Sequence, residues 1–371
     1  MRRRLIHCFS MLVLFTSLPL TGAHGADSGK TAVALPKPGF VIDRRRLAND
    51  RAARAHGVPY RGPIIDVHLH LNVRDDEPAS DSELRDILGH IRKAGVEGVI
   101  VMPTPNEGRR RRSHNRRQYR RKFQKLGGNT VRLMCCGSYL GQWFHNAQGK
   151  NVSNEAFKRL RRRLGEDLAS GHYLGVGEFG LYHFDKNGRQ PVIQYPPNFT
   201  PFLATVGLIA SLGRWILLHA ESVDPEGNSY EDKFFGGIEL LYRRNPSLKL
   251  IIPHTATTNP DNVRRLLTRH PTLMMDFKFV GRLGNWHHTE PVHNADKELH
   301  EDWARLFEAM PSRFMVGTDA KFYRRGFDGD DYRRLIERFR RVLGGLNPQA
   351  ARLIGHENAR RIFSMPGPGA N

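Results

Sequence analysis

Residues 63–70 read PIIDVHLH. The stretch opens as an apolar run, as a strand buried on both faces of a parallel sheet does. It closes on two histidines. Side chains at i and i+2 leave a strand on the same face, so His68 and His70 point their imidazoles to one centre. A doubly wound sheet that binds nucleotides would follow its first strand with a Gly-rich phosphate turn. Here that place holds DVHLH.

Seven further runs of the same kind follow. They are VEGVIVM (96–102), TVRLMCC (130–136), YLGVGEF (173–179), RWILLHA (214–220), LKLIIPH (248–254), TLMMDFKF (272–279) and RFMVGTD (313–319). Between them lie helical patterns over 153–169, 200–212, 234–245, 297–309 and 330–343. Ser80 and Glu83 predict a capping box ahead of Leu84, Ile87 and Ile91. Asn259–Pro260 and Asn347–Pro348 each place a capping side chain before a proline at the first helical position. Eight strands alternating with helices predict a single-domain (β/α)8 TIM barrel over residues 62–363.

Residues 1–26 read as a signal peptide. Arg2, Arg3 and Arg4 form the basic start, and account for three of the +21 formal charges. Met11–Leu20 is an apolar run too short to span a bilayer, and Gly22, Ala23, Gly25 and Ala26 offer small residues for cleavage. The consecutive arginines also suit twin-Arg export. The mature protein is therefore expected to be periplasmic or secreted, with no stable membrane span. Residues 27–61 form a leader arm onto the barrel, and 364–371 a flexible tail.

Of 371 residues, 39% are hydrophobic and 26% charged, which excludes a disordered chain and a multi-pass membrane protein. Three cysteines, one of them at position 8, exclude a disulfide scaffold and a Cys-based zinc finger. Adjacent Cα atoms lie about 3.8 Å apart, below the usual disulfide range. Cys135 and Cys136 are therefore expected unbridged, one facing each way from a strand.

In such a barrel chemistry sits at the C-terminal ends of the strands. His68 and His70 stand there on the first strand, Glu178 on the fourth, His219 on the fifth, His254 on the sixth and Asp319 on the eighth. Imidazoles and carboxylates converging on one mouth call for a divalent cation. The donor types suit zinc best, with other first-row metals open. Asp66 has a competing reading, as a buried carboxylate that orients a ligand or caps backbone groups.

DVHLH, VGEFG, LLHAE, IIPHT and VGTDA, in that order, resemble the amidohydrolase superfamily of metal-dependent hydrolases. IGHENARRIF (354–363) resembles the final helix of its amidohydrolase-2 and TatD-like branches. Tyr182 stands where the TatD-like pattern has Asp, and Thr255, Ala256 and Thr257 where it tends to Cys or Ser.

The resemblance implies that His68 and His70 bind one metal with Glu178 and Asp319. It further implies that His219 and His254 bind a second ion sharing Glu178. If Glu178 is not a ligand, the site is mononuclear. A metal-activated water then attacks an ester, lactone, amide or phosphoester of a small anionic substrate, with Asp319 as the catalytic proton carrier. The alternatives are a TatD-like phosphodiesterase or nuclease, a decarboxylase-type lyase, and a non-catalytic basic binding protein on the same scaffold.

Residues 109–125 hold ten basic residues and no acid. Tyr119, Phe123 and Leu126 give this segment a narrow apolar stripe, so it reads either as a solvated helix or as an attractor of anions. Sparse aromatic interleaving argues against sequence-specific nucleic-acid binding. Lys321, Arg324 and Arg325 follow Asp319, and Lys321 and Arg324 are the candidate substrate contacts. Asn106, Trp143, His145, Tyr182, His183, Trp286, His287 and His288 are expected in βα loops, either lining the mouth or as ordinary loop packing.

Overall fold

Each apolar run forms a strand, and each strand pairs in parallel with the next. In chain order they are β1 (Ile64–Leu71), β2 (Val96–Val101), β3 (Val131–Leu133, continued by Cys135–Cys136), β4 (Gly175–His183) and β5 (Trp215–Ala220). β6 (Lys249–Ile252), β7 (Met274–Phe277) and β8 (Phe314–Val316, continued by Ala320–Phe322) complete the set. Two strands change neighbours along their length. Val131–Leu133 pairs with β2 and Cys135–Cys136 with β4. Phe314–Val316 pairs with β7, and Ala320–Phe322 returns to β1. The ring therefore closes as a (β/α)8 barrel.

This computed structural model describes residues 53–54, 57–71, 80–105, 117–147, 152–184, 193–194, 198–224, 228–278, 299–322 and 327–365, with positions 150 and 196. All belong to the unit Arg44–Asn371. The signal peptide expected at 1–26, Arg109–Arg112, Arg116, Asn106, Trp286–His288, Arg324 and Arg325 lie outside the described residues. Ahead of the barrel, Ala53–Arg54 pairs antiparallel with Leu299–His300. No helix among the described residues is long and apolar enough to cross a membrane.

Three helices start where their caps predict. Ser80 and Glu83 close a reciprocal capping box on α1 (Asp81–Lys93). α2 (Arg117–Gly127), α3 (Gly137–Ala147), α4 (Asn154–Ala169), α5 (Thr200–Ser211) and α6 (Glu231–Arg244) follow. Asn259 caps α7 (Pro260–Arg269) by accepting from the Asn262 N–H at 2.9 Å. α8 (Glu301–Ala309) and α9 (Gly329–Gly344) precede α10 (Pro348–Arg352), which Asn347 caps through the Ala350 N–H. α11 (Asn358–Ile362) ends the barrel.

Two apolar layers hold the fold. One lies between strands and helices, and includes Ile64 and Leu69 with Leu84, Ile87, Leu88 and Ile91 of α1. The other fills the interior with Ile65, Val67, Ile100, Met102, Met134, Leu217, Ile251, Met274 and Met315. Ala359, Phe363 and Met365 belong to this inner set, beside Leu174 and Trp215 at the N-terminal ends of β4 and β5. The closing helix thus stoppers one end of the barrel, and polar chemistry is left to the other. Each fully buried large side chain contributes about 2 kcal/mol.

A bulge in β1 aims the histidines. Strict alternation would place 65, 67 and 69 on one face and 66, 68 and 70 on the other. The register against β2 slips between Asp66 and Leu69. Leu69 consequently joins Ile64 in the outer layer, while His68 and His70 turn inward. Asp66 secures the slip from the outer face. It accepts from the N–H groups of His68 (3.1 Å) and Thr318 (3.0 Å), the Thr318 hydroxyl (2.7 Å) and the Tyr332 hydroxyl on α9 (3.0 Å). Its role is the one that caps backbone groups from outside the site.

Three expectations are corrected. Cys135 and Cys136 are joined by a disulfide. Cys136 adopts φ 77°, and this left-handed backbone cancels the alternation that would have separated the two side chains. β4 runs on to His183, so Glu178 lies mid-strand and Tyr182 and His183 belong to the strand rather than a loop. Trp143 and His145 lie in α3, where Trp143 packs on Phe144 and Phe157 instead of lining the mouth.

Candidate metal centre

Strand ends and the β1 bulge bring the predicted residues to one buried cluster. His68 and His70 are fully buried, and Glu178, His219 and His254 nearly so; Asp319 is 10% exposed. Glu178 holds its place because α3 begins with a glycine. A Cβ on Gly137 would lie 1.9 Å from the Glu178 carbonyl oxygen, so only glycine permits this approach. His254 opens a turn of left-handed residues, His254 to Thr257, which ends β6 at Ile252 rather than at the histidine. Asp319 also takes a left-handed φ of 51°, and its N–H donates to the His68 carbonyl at 2.8 Å.

Sequence reasoning missed three members of the cluster. Asp276 lies on β7, fully buried, with Oδ2 3.1 Å from His68 Nδ1 and Oδ1 accepting from the His254 N–H at 2.9 Å. Lys278 follows β7 and sets its Nζ 2.5 Å from Asp319 Oδ2. Glu221 follows β5 and faces His219 Nε2 at 3.1 Å. A signal existed: an Asp and a Lys two positions apart inside the apolar run 272–279 share one face of a strand. Lys321, expected to meet substrate, sets its Nζ 2.9 Å from Asp319 Oδ1.

The hydrogen-bond partners fix the tautomers. His70 Nδ1 faces the carbonyl oxygen of Met102 at 3.0 Å, and a carbonyl only accepts. His68 Nδ1 faces the carboxylate of Asp276. Both rings therefore carry hydrogen on Nδ1 and, when neutral, present a lone pair at Nε2. The two Nε2 atoms face each other at 3.1 Å. Glu178 Oε2 lies 3.2 Å from His70 Nε2 and 3.6 Å from His68 Nε2; Asp319 Oδ1 lies 3.1 and 3.9 Å from the same atoms. Four electron-pair donors converge on one point, and positive charge must sit among them.

A second group adjoins the first. Glu178 turns its other oxygen, Oε1, to Nδ1 of His219. Glu178, His219 and His254 offer ligand atoms within 4.8 Å of one another, as do His68, His70, Glu178 and Asp319. His254 stacks on His68 with ring centres 5.0 Å apart. Neither of its ring nitrogens has a hydrogen-bond partner among the described residues, although the ring is buried. Orphaned buried nitrogens of this kind, beside carboxylates, fit a metal ion.

Without a cation the cluster protonates itself. Burial disfavours charge on His68, but the carboxylates of Glu178 and Asp276 outweigh it and lift the imidazole to about 10. Burial pushes the Glu178 carboxyl up, and the imidazoles of His219 and His68 pull it well below the ordinary range. Burial likewise raises Asp319, while Lys278 and then Lys321 draw it well below. Burial and the ammonium of Lys278 press His254 well below its usual value.

A model of the amidohydrolase family matches residues 65–365. The chain belongs to the amidohydrolase family. It is an enzyme of the metal-dependent hydrolase type, and its cluster offers ligand atoms that could hold a divalent metal. No curated protein matches this amidohydrolase in sequence.

Among solved structures it is similar to a TIM-barrel protein of Bordetella bronchiseptica (12% identity, TM-score 0.50, 82% of this chain and 99% of that one). It is also similar to the IDCase of Metarhizium anisopliae (11% identity, TM-score 0.50, 82% and 98%). A third is a probable 2-pyrone-4,6-dicarboxylic acid hydrolase of Acinetobacter baumannii with citric acid bound (13% identity, TM-score 0.47, 81% and 99%). At these identities the likeness concerns the barrel fold of the amidohydrolase alone.

Proposed function

We propose that this amidohydrolase is an exported hydrolase of small anionic esters, lactones, amides or phosphoesters. Its metal centre is made by His68, His70, Glu178, His219, His254 and Asp319. The observation that carries the reading is the meeting of two Nε2 lone pairs and two carboxylate oxygens at one buried point. Glu178, with one oxygen toward His68 and His70 and the other toward His219, is placed to serve two ions. Zinc suits the nitrogen and oxygen donors best. A bound divalent ion there supplies Lewis acidity, polarising a substrate oxygen and making water more acidic.

The chain's own residues do the rest. Asp276 and the Met102 carbonyl hold the rings of His68 and His70 by their Nδ1 hydrogens. Asp319 receives and returns the proton, and Lys278 and Lys321 hold its carboxylate in place. Lys321 and Arg324 are the candidate contacts for an anionic group of the substrate. Residues 1–26 would direct export, which N-terminal sequencing of the protein recovered from the periplasm or medium tests.

Elemental analysis of the purified chain tests the centre: one or two equivalents of transition metal are expected. His68→Ala and His70→Ala should lose metal, whereas Asp319→Asn should keep most of it and lose turnover on a panel of esters, lactones and phosphoesters. A metal-free wild type, with Asp319→Asn as active as wild type, would end the reading.

One observation favours a second reading. Asp319 is gripped by two ammonium groups and held far below neutrality, where a general base is weak. That suits a decarboxylase-type lyase, in which the carboxylate need not take a proton from water. Release of carbon dioxide from carboxylic acid substrates distinguishes the two.

A further inference from the structure

We propose that Glu221 is a positioning residue: it fixes the tautomer of His219 and thereby decides which nitrogen that ring offers to a metal ion. The inference rests on the metal-centre reading above.

The geometry is specific. His219 Nε2 lies 3.1 Å from Glu221 Oε1. Carboxylates only accept, so Nε2 donates to Glu221 and Nδ1 donates to Glu178 in the metal-free ring. With an ion in place of the proton between the ring and Glu178, Nε2 keeps its hydrogen on Glu221 and Nδ1 is the nitrogen left with a lone pair. This is the reverse of His68 and His70, which are held by Nδ1 and present Nε2. Turned this way, the ring on β5 faces Glu178 with His254 in the second ligand group, and Glu221 is what holds it turned.

Glu221 cannot follow the ring elsewhere. It is 1% exposed, and its second oxygen accepts from the Phe184 N–H at 3.0 Å. Its own N–H donates to the Tyr182 carbonyl at 3.0 Å. The next residue, Ser222, is bound to the left-handed turn after β6: its N–H donates to the Ala256 carbonyl at 3.0 Å, and its hydroxyl to the Thr257 carbonyl at 3.1 Å. The carboxylate is thus tied to the end of β4, and the chain that carries it to the turn after β6. An anchored acceptor behind a ligand imidazole orients the ring and raises its basicity.

The test uses the metal-free full-length chain, with zinc affinity read by competition against a chromophoric chelator. The absorption spectrum of the cobalt(II)-loaded protein is recorded alongside. Glu221→Ala is expected to weaken zinc binding about 10- to 100-fold and to shift the cobalt bands. Glu221→Gln retains one accepting oxygen and is expected to lose a smaller, measurable part. In a His219→Ala background the alanine substitution should cost nothing further, because the residue acts through that ring.

Unchanged affinity and spectrum in Glu221→Ala would overturn the proposal, and so would an equal loss with and without His219. Loss of a whole equivalent of metal with His219 absent would make Glu221 a ligand in its own right and also overturn it. Should the alanine variant not fold by circular dichroism, the glutamine variant decides: a loss seen only where His219 is present supports the proposal, and any other result defeats it. If the wild type itself takes up no zinc, the metal-centre reading fails; if it does and Glu221→Ala is indifferent, only this inference fails.

Discussion

Lys278 Nζ stands 2.5 Å from Asp319 Oδ2, and Lys321 Nζ stands 2.9 Å from Oδ1 of the same carboxylate. The last strand's acid is therefore held from both sides, by one lysine just after β7 and one from its own strand. Removing Lys278 leaves the Asp319 carboxylate with Lys321 alone and one oxygen without its donor. Lys278→Met should destabilise the metal-free protein by about 2 kcal/mol in urea titration at neutral pH. The acid limb should move too. Asp319 has a depressed carboxyl, so its contribution is present above the ordinary carboxylate range and is lost as pH falls through the depressed value. Without Lys278 that loss should begin at higher pH.

The second prediction concerns the proton that stands in for the metal. His68 is lifted to about 10 in the metal-free cluster, above an ordinary value of about 6.5. Its contribution to stability is full below about pH 6.5 and fades as pH rises through about 10. The melting temperature of the chelator-treated protein should fall over that window, and His68→Gln should flatten the decline. Zinc binding at pH 7 should release about one proton per chain from His68, read by calorimetry in buffers of different ionisation enthalpy. An absence of proton release would show that His68 Nε2 is not where the ion sits.

Gly137 is predicted to tolerate no side chain. The Cβ of Gly137→Ala would meet the Glu178 carbonyl at 1.9 Å, so β4 or α3 must move. A cost of about 3 kcal/mol is expected, as for an overpacked core. Metal content should fall with it, because the displaced backbone carries Glu178. Gly165, with open space around its Cβ, is the control: Gly165→Ala on α4 should leave both stability and metal content intact or slightly improved.

Tyr332 separates fold from site. Its hydroxyl donates to Asp66 Oδ2 from the far side of β1, and the ring is fully buried. Tyr332→Phe should cost about 1 kcal/mol, the loss of one buried hydrogen bond. Zinc affinity should hardly change, since three donors still fix Asp66. Asp66→Ala removes the acceptor common to His68, Thr318 and Tyr332. It should release the bulge and lose metal, as measured by chelator competition.

The barrel itself was written in the amino-acid order. Strands covered on both faces must be apolar throughout, so eight short runs announce them, and Ser80, Asn259 and Asn347 mark helix starts through purely local hydrogen bonds. The residues that meet in the buried cluster were legible for a related reason: a polar residue in or after an apolar strand has little other reason to be there. Phase was not legible. The slip between Asp66 and Leu69 depends on how β1 meets β2, and the bridge between Cys135 and Cys136 on a backbone angle set by β4 and α3. Asp276, Lys278 and Glu221 acquire their roles only from partners between 2 and 208 positions away along the chain. Periodicity and capping act within a few residues, and so one-dimensional order determined the elements and their count. Which nitrogen each imidazole presents, and which carboxylate stands behind it, are matters of distance across the closed ring, and only the tertiary structure decided them.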